Sequence, residues 1–353
     1  MVVDRLKLIN DVGKVLPGIA TGMVTLEGAD TLVFSDGHLY SYNSTVSVDV
    51  KLSEDLGFNG SVKAQEFYNC LVKLPGTSID VEASDSQLRI SDGKIHVSMK
   101  LLSVGQMLDA LKSLKTSDDG WFSIDGKEFQ KVLKICFIKD SSSISGIYFN
   151  GRKAYSTNRW IINKCELNFD CPEFWLSTNG VLELVKWDDF KEIKFEKQWL
   201  HLRTVDGVVF SLRTLCVDSY PLSDVERILG NALGLEVVAD LKLDENFYKA
   251  IKRASVFSGT VEDHDTISIS FGHEVKVLGR RISGDFEEVV EGMDAGFEVP
   301  VVMDFDIVEF TSSDGYFDKF KILSKDGNVD VGRPVNVLME SFGCSKLFTS
   351  LVN

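Results

Sequence analysis

Apolar residues recur along this chain at two alternating periods. Phe129, Val132, Leu133, Cys136 and Phe137 fall at i, i+3, i+4, i+7 and i+8, the stripe of an amphipathic helix. Phe247, Ala250, Ile251 and Ala254 repeat the stripe 118 residues later, and Ile9, Val12, Gly13 and Leu16 match it 120 residues earlier. Asp244 and Glu245 fall in a first turn, where the helix dipole favours acids. Period-two segments follow each helical stretch: TLVFSDGHLYSYNSTVSVDVKL, SGIYFNGRKAYSTNRWIINKCEL and TISISFGHEVKVLGRRI. Their alternation about Gly turns predicts hairpins. A second helical stretch comes next at 63–74 and at 177–187, the latter capped by Ser177 or Thr178, and further strands close each unit. The pattern predicts an α+β fold, each unit carrying two helices packed on antiparallel sheet.

Two markers count the units. The Gly turns after Phe34, Phe149 and Phe271 lie 115 and 122 residues apart, and Asp92-Gly93, Asp206-Gly207 and Asp326-Gly327 lie 114 and 120 apart. A third of the 353 residues is about 118. Three domains are therefore expected, 1–117, 118–233 and 234–353, each large enough to bury a core of its own. The polar stretches 115–120 and 223–240 read as linkers.

No apolar run approaches the ~20 residues of a membrane span. Charges in MVVDRLKLINDVGK stand where a signal peptide needs its apolar stretch, so a cytoplasmic protein is expected. Six Cys without a CxxC pair and five scattered His without HExxH predict buried free thiols, no metal and no cofactor. The formal net charge of −15 argues against nucleic acid as a partner unless positive charge is gathered on one face.

The first helices gather it. Away from the apolar stripe, unit two carries Lys127, Gln130, Lys131 and Lys134, and unit three carries Asn246, Lys249, Lys252 and Arg253. Unit one offers Lys7, Asn10, Asp11 and Lys14, with Lys7 and Lys14 matched to Lys127 and Lys134. The second helices add Lys63, Lys73 and Lys186. A lone lysine stripe is ordinarily a solvated face. Recurrence in register within an acidic chain points instead to weak, sequence-independent contact with phosphates.

Several segments carry a family resemblance: GSVKAQEFYNCLVKLPGTSIDVEASDSQLRISDGKIHVSMKLL in unit one, YSTNRWIINKCEL and LRTLCVDSYP in unit two, and EVKVLGRRISGDFEEVVEG in unit three. In this order and spacing the chain resembles the bacterial DNA polymerase III β subunit, the sliding clamp, over essentially its whole length. The resemblance implies three clamp domains, a head-to-tail homodimeric ring around double-stranded DNA, a replicative polymerase and a clamp loader as partners, and no catalytic activity. It also implies a partner-peptide pocket between the second and third domains. By matched position its residues are Thr157, Arg159, Trp160, Ile161 and Pro221, with Leu347, Phe348 and Leu351 aligned near the C-terminus.

Two departures stand out. The family's Gly-His at the pocket is replaced by Arg159-Trp160 with one residue deleted. In unit three, VMDFDIVEF carries Asp304, Asp306 and Glu309 where a second helix would bear lysines. These suggest a divergent, phage-encoded copy acting in a host cytoplasm. Two rivals stay open: a three-domain structural or assembly protein without DNA binding, and a hydrolase built on a carboxylate pair such as Asp188-Asp189 or Asp304/Asp306. GxSxG, GxxxxGK[ST] and GxGxxG are all absent from the sequence.

Overall fold

A computed structural model describes the chain except for residues 21–25, 140–143, 159, 188, 262–263, 308–309, 311–314, 330–332 and 352–353. Arg159, Asp188 and Glu309 therefore lie outside the described residues.

The first repeat runs β1 (Val2–Asp4), α1 (Arg5–Val15), β2 (Thr31–Ser35), β3 (His38–Tyr42), β4 (Val46–Lys51), β5 (Gly60–Lys63), α2 (Ala64–Lys73), β6 (Ser78–Ala83), β7 (Gln87–Asp92), β8 (Ile95–Lys100) and α3 (Gly105–Leu114). The second runs β9 (Phe122–Ser123), α4 (Gly126–Cys136), β10 (Ile147–Thr157), β11 (Ile162–Leu176), α5 (Thr178–Leu184), β12 (Phe190–Glu196), β13 (Trp199–Thr204), β14 (Val209–Arg213) and α6 (Leu222–Leu233). The third runs β15 (Glu236–Lys242), α7 (Glu245–Ala254), β16 (Gly259–Val261), β17 (His264–Phe271), β18 (Val275–Arg281), β19 (Gly284–Val290), β20 (Val301–Asp306), β21 (Lys319–Ser324), β22 (Asn336–Ser341) and β23 (Cys344–Thr349).

All the strand pairings are antiparallel, and their connectivity recurs three times. A short opening strand pairs with the first strand of a closing three-stranded meander: β1 with β6, β9 with β12, β15 with β21. Between them lies a four-segment sheet whose first segment pairs with the second and the fourth, and whose second pairs with the third. In repeat one these are β2–β5, and in repeat three β17–β20. In repeat two the segments fuse into two long strands, β10 and β11.

By contacts the chain divides into two compact units, 1–127 with 182–215, and 128–181 with 216–353. The first holds an eight-stranded sheet ordered β5-β2-β3-β4-β14-β13-β12-β9 and a four-stranded sheet β1-β6-β7-β8. Leu8, Val12 and Val15 of α1 are buried, as are Phe34 of β2 and Phe67 of α2, whose rings meet edge to face at 5.6 Å. The second holds a six-stranded sheet β10-β11-β23-β22-β21-β15 and a sheet β16-β17-β18-β19 with β20 on β17. Its core is aromatic: Phe129 packs on Phe149, and Phe247, Phe305, Phe310, Phe320 and Phe348 form one cluster.

Local chemistry explains the helix starts. Asp4 caps α1 through the N–H groups of Leu6 and Lys7, Ser177 receives the Gly180 N–H at α5, and Asp244 caps α7 through Phe247 N–H at 3.0 Å. The two-residue turn from β2 to β3 has Asp36 at φ 54° and Gly37 at φ 75°, the paired positive φ of a primed hairpin.

Several expectations are corrected. The buried face of α1 is Leu8, Asp11, Val12 and Val15, so its register is one residue off the stripe read from Ile9. Buried Asp11 is stabilised by accepting from the Ser53 N–H at 2.7 Å and the Ser53 hydroxyl at 3.1 Å. Gln130 of α4 is buried and leaves the polar face. The third Asp-Gly marker is a coincidence: Asp326-Gly327 follows the first meander strand β21, whereas Asp92-Gly93 and Asp206-Gly207 follow the second; the structural counterpart is Phe342-Gly343. Gly151, at φ 59°, sits at a register shift inside β10 and does not turn a hairpin. Residues 301–306 are strand β20, with Met303 and Phe305 inward, so Asp304 and Asp306 do not lie on a helix. The stretch 223–240 is mostly α6 and β15, with only a short connection at Gly234-Leu235. Cys216 is exposed.

Candidate nucleic-acid interface

Helix α1 packs on β3 and β4, and α7 on β18 and β19, so each sends its polar face away from a sheet. Lys7, Lys63, Lys73, Lys127, Lys134, Lys186, Lys249, Lys252 and Arg253 are exposed; Lys14 and Lys131 are half-buried. Alignment on the buried residues Leu8, Phe129 and Phe247 puts Lys131 with Lys249, and Lys134 with Lys252. The first repeat has Asn10 and Gly13 at those positions. Lys7 and Lys14 instead match Asn246 and Arg253, so the expected pairing of Lys7 and Lys14 with Lys127 and Lys134 is corrected by the register of α1.

The acidic chain already holds many of these cations. Lys7 pairs with Glu54 at 3.2 Å, Lys186 with Glu183 at 2.8 Å and Lys249 with Glu245 at 2.8 Å. Lys14 pairs with Asp206 and Lys63 with Asp30. Arg253 grips Glu288 through two nitrogens, which holds that carboxylate below its ordinary value and lifts the guanidinium. Among the described residues, no carboxylate lies in ion-pair distance of Lys73, Lys127, Lys131 or Lys134. These four offer charge to an external anion without first giving up an internal partner.

The proposed pocket residues do not all come together. In β23 the alternation of side chains sends Leu347 to one face and Phe348 to the other. Leu347 joins a cluster with Tyr148, Tyr155, Ile162, Trp175, Tyr220, Val225 and Leu229, all in the second compact unit. Phe348 packs edge-on against Phe305 and Phe310 and is core, which removes it from the pocket set. Leu351 bridges to β20, its N–H donating to Asp304 O at 2.8 Å. Thr157 and Ile161 are buried, and Pro221 is half-buried where it precedes α6. Asn158 accepts from the N–H groups of Trp160 and Ile161 at 3.1 and 2.9 Å, an Asx turn that leaves Trp160 70% exposed.

An aromatic cluster that no sequence motif marks lies next to these residues. Tyr148 and Tyr220 stack at 4.5 Å, and Trp175 meets Tyr220 edge-on at 5.3 Å. Tyr155 donates to Glu226 at 2.8 Å and Tyr148 to Glu173. Burial, with the Glu173 carboxylate adding, pushes Tyr148 up to about 12. Tyr220 Oη and Trp175 Nε1 are buried without a hydrogen-bond partner among the described residues. Such donors favour a ligand that brings an acceptor. No group of three or more His, Cys, Asp or Glu suited to a metal occurs among the described residues. No helix there is long and apolar enough to cross a membrane.

Neither a family model nor a curated protein matches the chain. Solved structures do match it, along its whole length. The β subunit from the DNA polymerase of Streptococcus pyogenes superposes with a TM-score of 0.77 at 16% identity, over 100% of this chain and 99% of that one. The DNA polymerase III subunit beta from Pseudomonas aeruginosa gives 0.74 at 16% identity, over 99% of each chain. The C. crescentus beta sliding clamp gives 0.77 at 15% identity, over 100% of this chain and 99% of that one. From end to end, the chain has the fold of the bacterial DNA polymerase III β subunit sliding clamps.

Proposed function

We propose that two copies of this chain close head to tail into a ring that encircles duplex DNA and acts as a sliding clamp, a processivity factor without catalytic activity of its own. The observation that carries this reading is a strand junction used twice within the chain. The last meander strand of repeat two, β14, pairs with β4, the third sheet segment of repeat one. The last meander strand of repeat three, β23, pairs with the corresponding start of β11 in repeat two. One strand of each kind is left over: β8, at the end of its sheet, and β19, at the end of another.

An unpaired edge is a template for another strand. The two edges are complementary in charge: β8 and its turn carry Lys94 and Lys100, and β19 carries Asp285 together with Glu287 and Glu288, which Lys276 and Arg253 of the same unit engage in part. Each also exposes an apolar residue, Ile95 and Val289, both 42% exposed. A β8–β19 junction between copies repeats the internal one, and two such junctions close a symmetric pair. Closure holds DNA topologically, so weak lysine–phosphate contacts suffice even at a net charge of −15.

The reading assigns three clamp domains, 1–117, 118–233 and 234–353. Lys73, Lys127, Lys131 and Lys134 are the foremost DNA contacts, supported by Lys7, Lys14, Lys63, Lys186, Lys249, Lys252 and Arg253. Thr157, Trp160, Ile161, Pro221 and Leu347, beside the aromatic cluster, take a peptide of the replicative polymerase or the clamp loader. The working compartment is a host cytoplasm. Sedimentation tests the ring: a mass near twice 39.3 kDa is expected, and Lys100→Glu, which opposes charge at the β8 edge, should shift it toward the single chain. A single-chain mass for the unaltered protein at all concentrations contradicts the ring.

A further inference from the structure

Cys165 on β11 and Cys344 on β23 are direct register partners across the strand pair. The Glu166 N–H donates to the Gly343 carbonyl at 2.9 Å, one position beyond the pair on each strand. That bond identifies Cys165/Cys344 as a non-hydrogen-bonded pair of the antiparallel ladder, the class whose Cα atoms lie about 4.5 Å apart with their side chains close on one face. A disulfide requires Cα atoms about 4.4–6.8 Å apart, so the backbone needs little adjustment to be bridged. Both thiols are free and buried. The Cys165 thiol interacts by hydrogen bonding with both Cys136 of α4 and Cys344.

We propose that Cys165 and Cys344 form a modification site, a dithiol that a small peroxide closes to a disulfide across β11 and β23. Access favours Cys344 as the first reactant. It lines a cavity of about 480 Å³ together with Lys164, Glu166, Phe342 and Ser345, whereas Cys165 is sealed. Electrostatics agree: the hydrogen bond from Cys165 lowers the Cys344 thiol, with Lys131 adding to the effect, while burial pushes Cys165 well up.

The Cys344 thiolate attacks one peroxide oxygen, the O–O bond breaks, and hydroxide departs, leaving a sulfenic acid. The Cys165 sulfur then attacks the Cys344 sulfur; the S–O bond breaks and the hydroxyl leaves as water with the Cys165 proton. The peroxide gains two electrons and becomes two waters, and the dithiol loses two electrons and two hydrogens. Ile162 and Leu347, three residues along the same two strands, face the aromatic cluster. The bridge therefore ties the sheet directly beneath the proposed peptide site.

The test is disulfide mapping of the native full chain after exposure to hydrogen peroxide, with alkylation of the remaining thiols under denaturing conditions and mass spectrometry of the digest. The expected product is a peptide pair joining Cys165 to Cys344, released by a thiol reductant and retained in Cys216→Ser. Cys344→Ser and, separately, Cys165→Val should abolish it. The mapping of the unaltered protein does not depend on how either variant folds. Alkylation of Cys165 and Cys344 to the level of the reduced control, a Cys165–Cys136 link in place of the expected one, or overoxidation of Cys344 without any link overturns the proposal.

Discussion

His201 sits in β13, 2% exposed, with its Nδ1 2.7 Å from the Ser211 hydroxyl of β14. Ser211 in turn is the register partner of Ser47 on β4, so the imidazole borders the junction that joins repeats one and two. Burial pulls its pKa down from the ordinary 6.5 to about 4, with Glu196 opposing the shift and Lys194 adding to it. A base whose folded pKa is depressed takes up its proton more readily in the unfolded chain. The stability it contributes is present above the unfolded value of 6.5 and is lost as the pH falls toward the folded value.

The full loss is about 3 kcal/mol at about 1.36 kcal/mol per pKa unit, and about 1.2 kcal/mol of it falls between about pH 7 and about pH 5.5. That corresponds to a Tm decrease of about 2–5 °C over this interval. His201→Gln removes the titrating group, so the variant should lose less stability than the unaltered protein over the same interval, whatever its absolute Tm. With only five His in the chain, histidine-labelled NMR reads the ring directly. Its signals should stay those of a neutral imidazole until well below pH 5. A His201 resonance titrating near 6.5, or equal acid loss in the protein and the variant, would show that burial does not hold this ring neutral.

Three further outcomes are expected. Lys131→Glu with Lys134→Glu should leave the circular dichroism unchanged but weaken DNA retention and lower the salt slope by about 0.9 for each phosphate that is no longer neutralised; Lys186→Glu and Lys249→Glu should do less, because Glu183 and Glu245 already engage those lysines. In Gly126→Ala a Cβ would fall 2.0 Å from the Phe190 carbonyl oxygen; displacing backbone at the start of α4 should cost about 1–3 kcal/mol, seen as a lower Tm, and an unchanged Tm would show that the turn yields freely. Tyr220→Phe deletes a buried hydroxyl without a described partner, so Tm should hold or rise while affinity for a polymerase-derived peptide falls several-fold in calorimetry; a lowered Tm with unchanged affinity would make the hydroxyl structural.

The stripe shared by α4 and α7 was legible because Phe129 and Phe247 head the same buried pattern 118 residues apart. In α1 two things defeated the period. Ile9 is apolar beside the buried Leu8, and a buried position is held by Asp11, whose partner Ser53 is 42 residues away. Periodicity cannot see such a hydrogen bond. In β20, Asp304 and Asp306 alternate with Met303 and Phe305, a period of two, yet so short an apolar run also fits a helical window. The aromatic cluster beside Leu347 is assembled from β10, β11, β22, β23 and α6 among others, and only long-range pairing brings these residues together. The strand junctions are likewise a property of topology: nothing in the composition of β14 or β23 names β4 or β11 as its neighbour.

A closed ring is held on DNA by topology, and retention on circular against linear DNA reads that directly. The protein is loaded onto a singly nicked circular plasmid, freed of unbound protein at high salt, and the plasmid is then cut once with a restriction enzyme. The protein is expected to stay on the circle and to be lost from the linear product by running off its ends. Equal retention on both forms, or equal loss from both, contradicts a sliding ring.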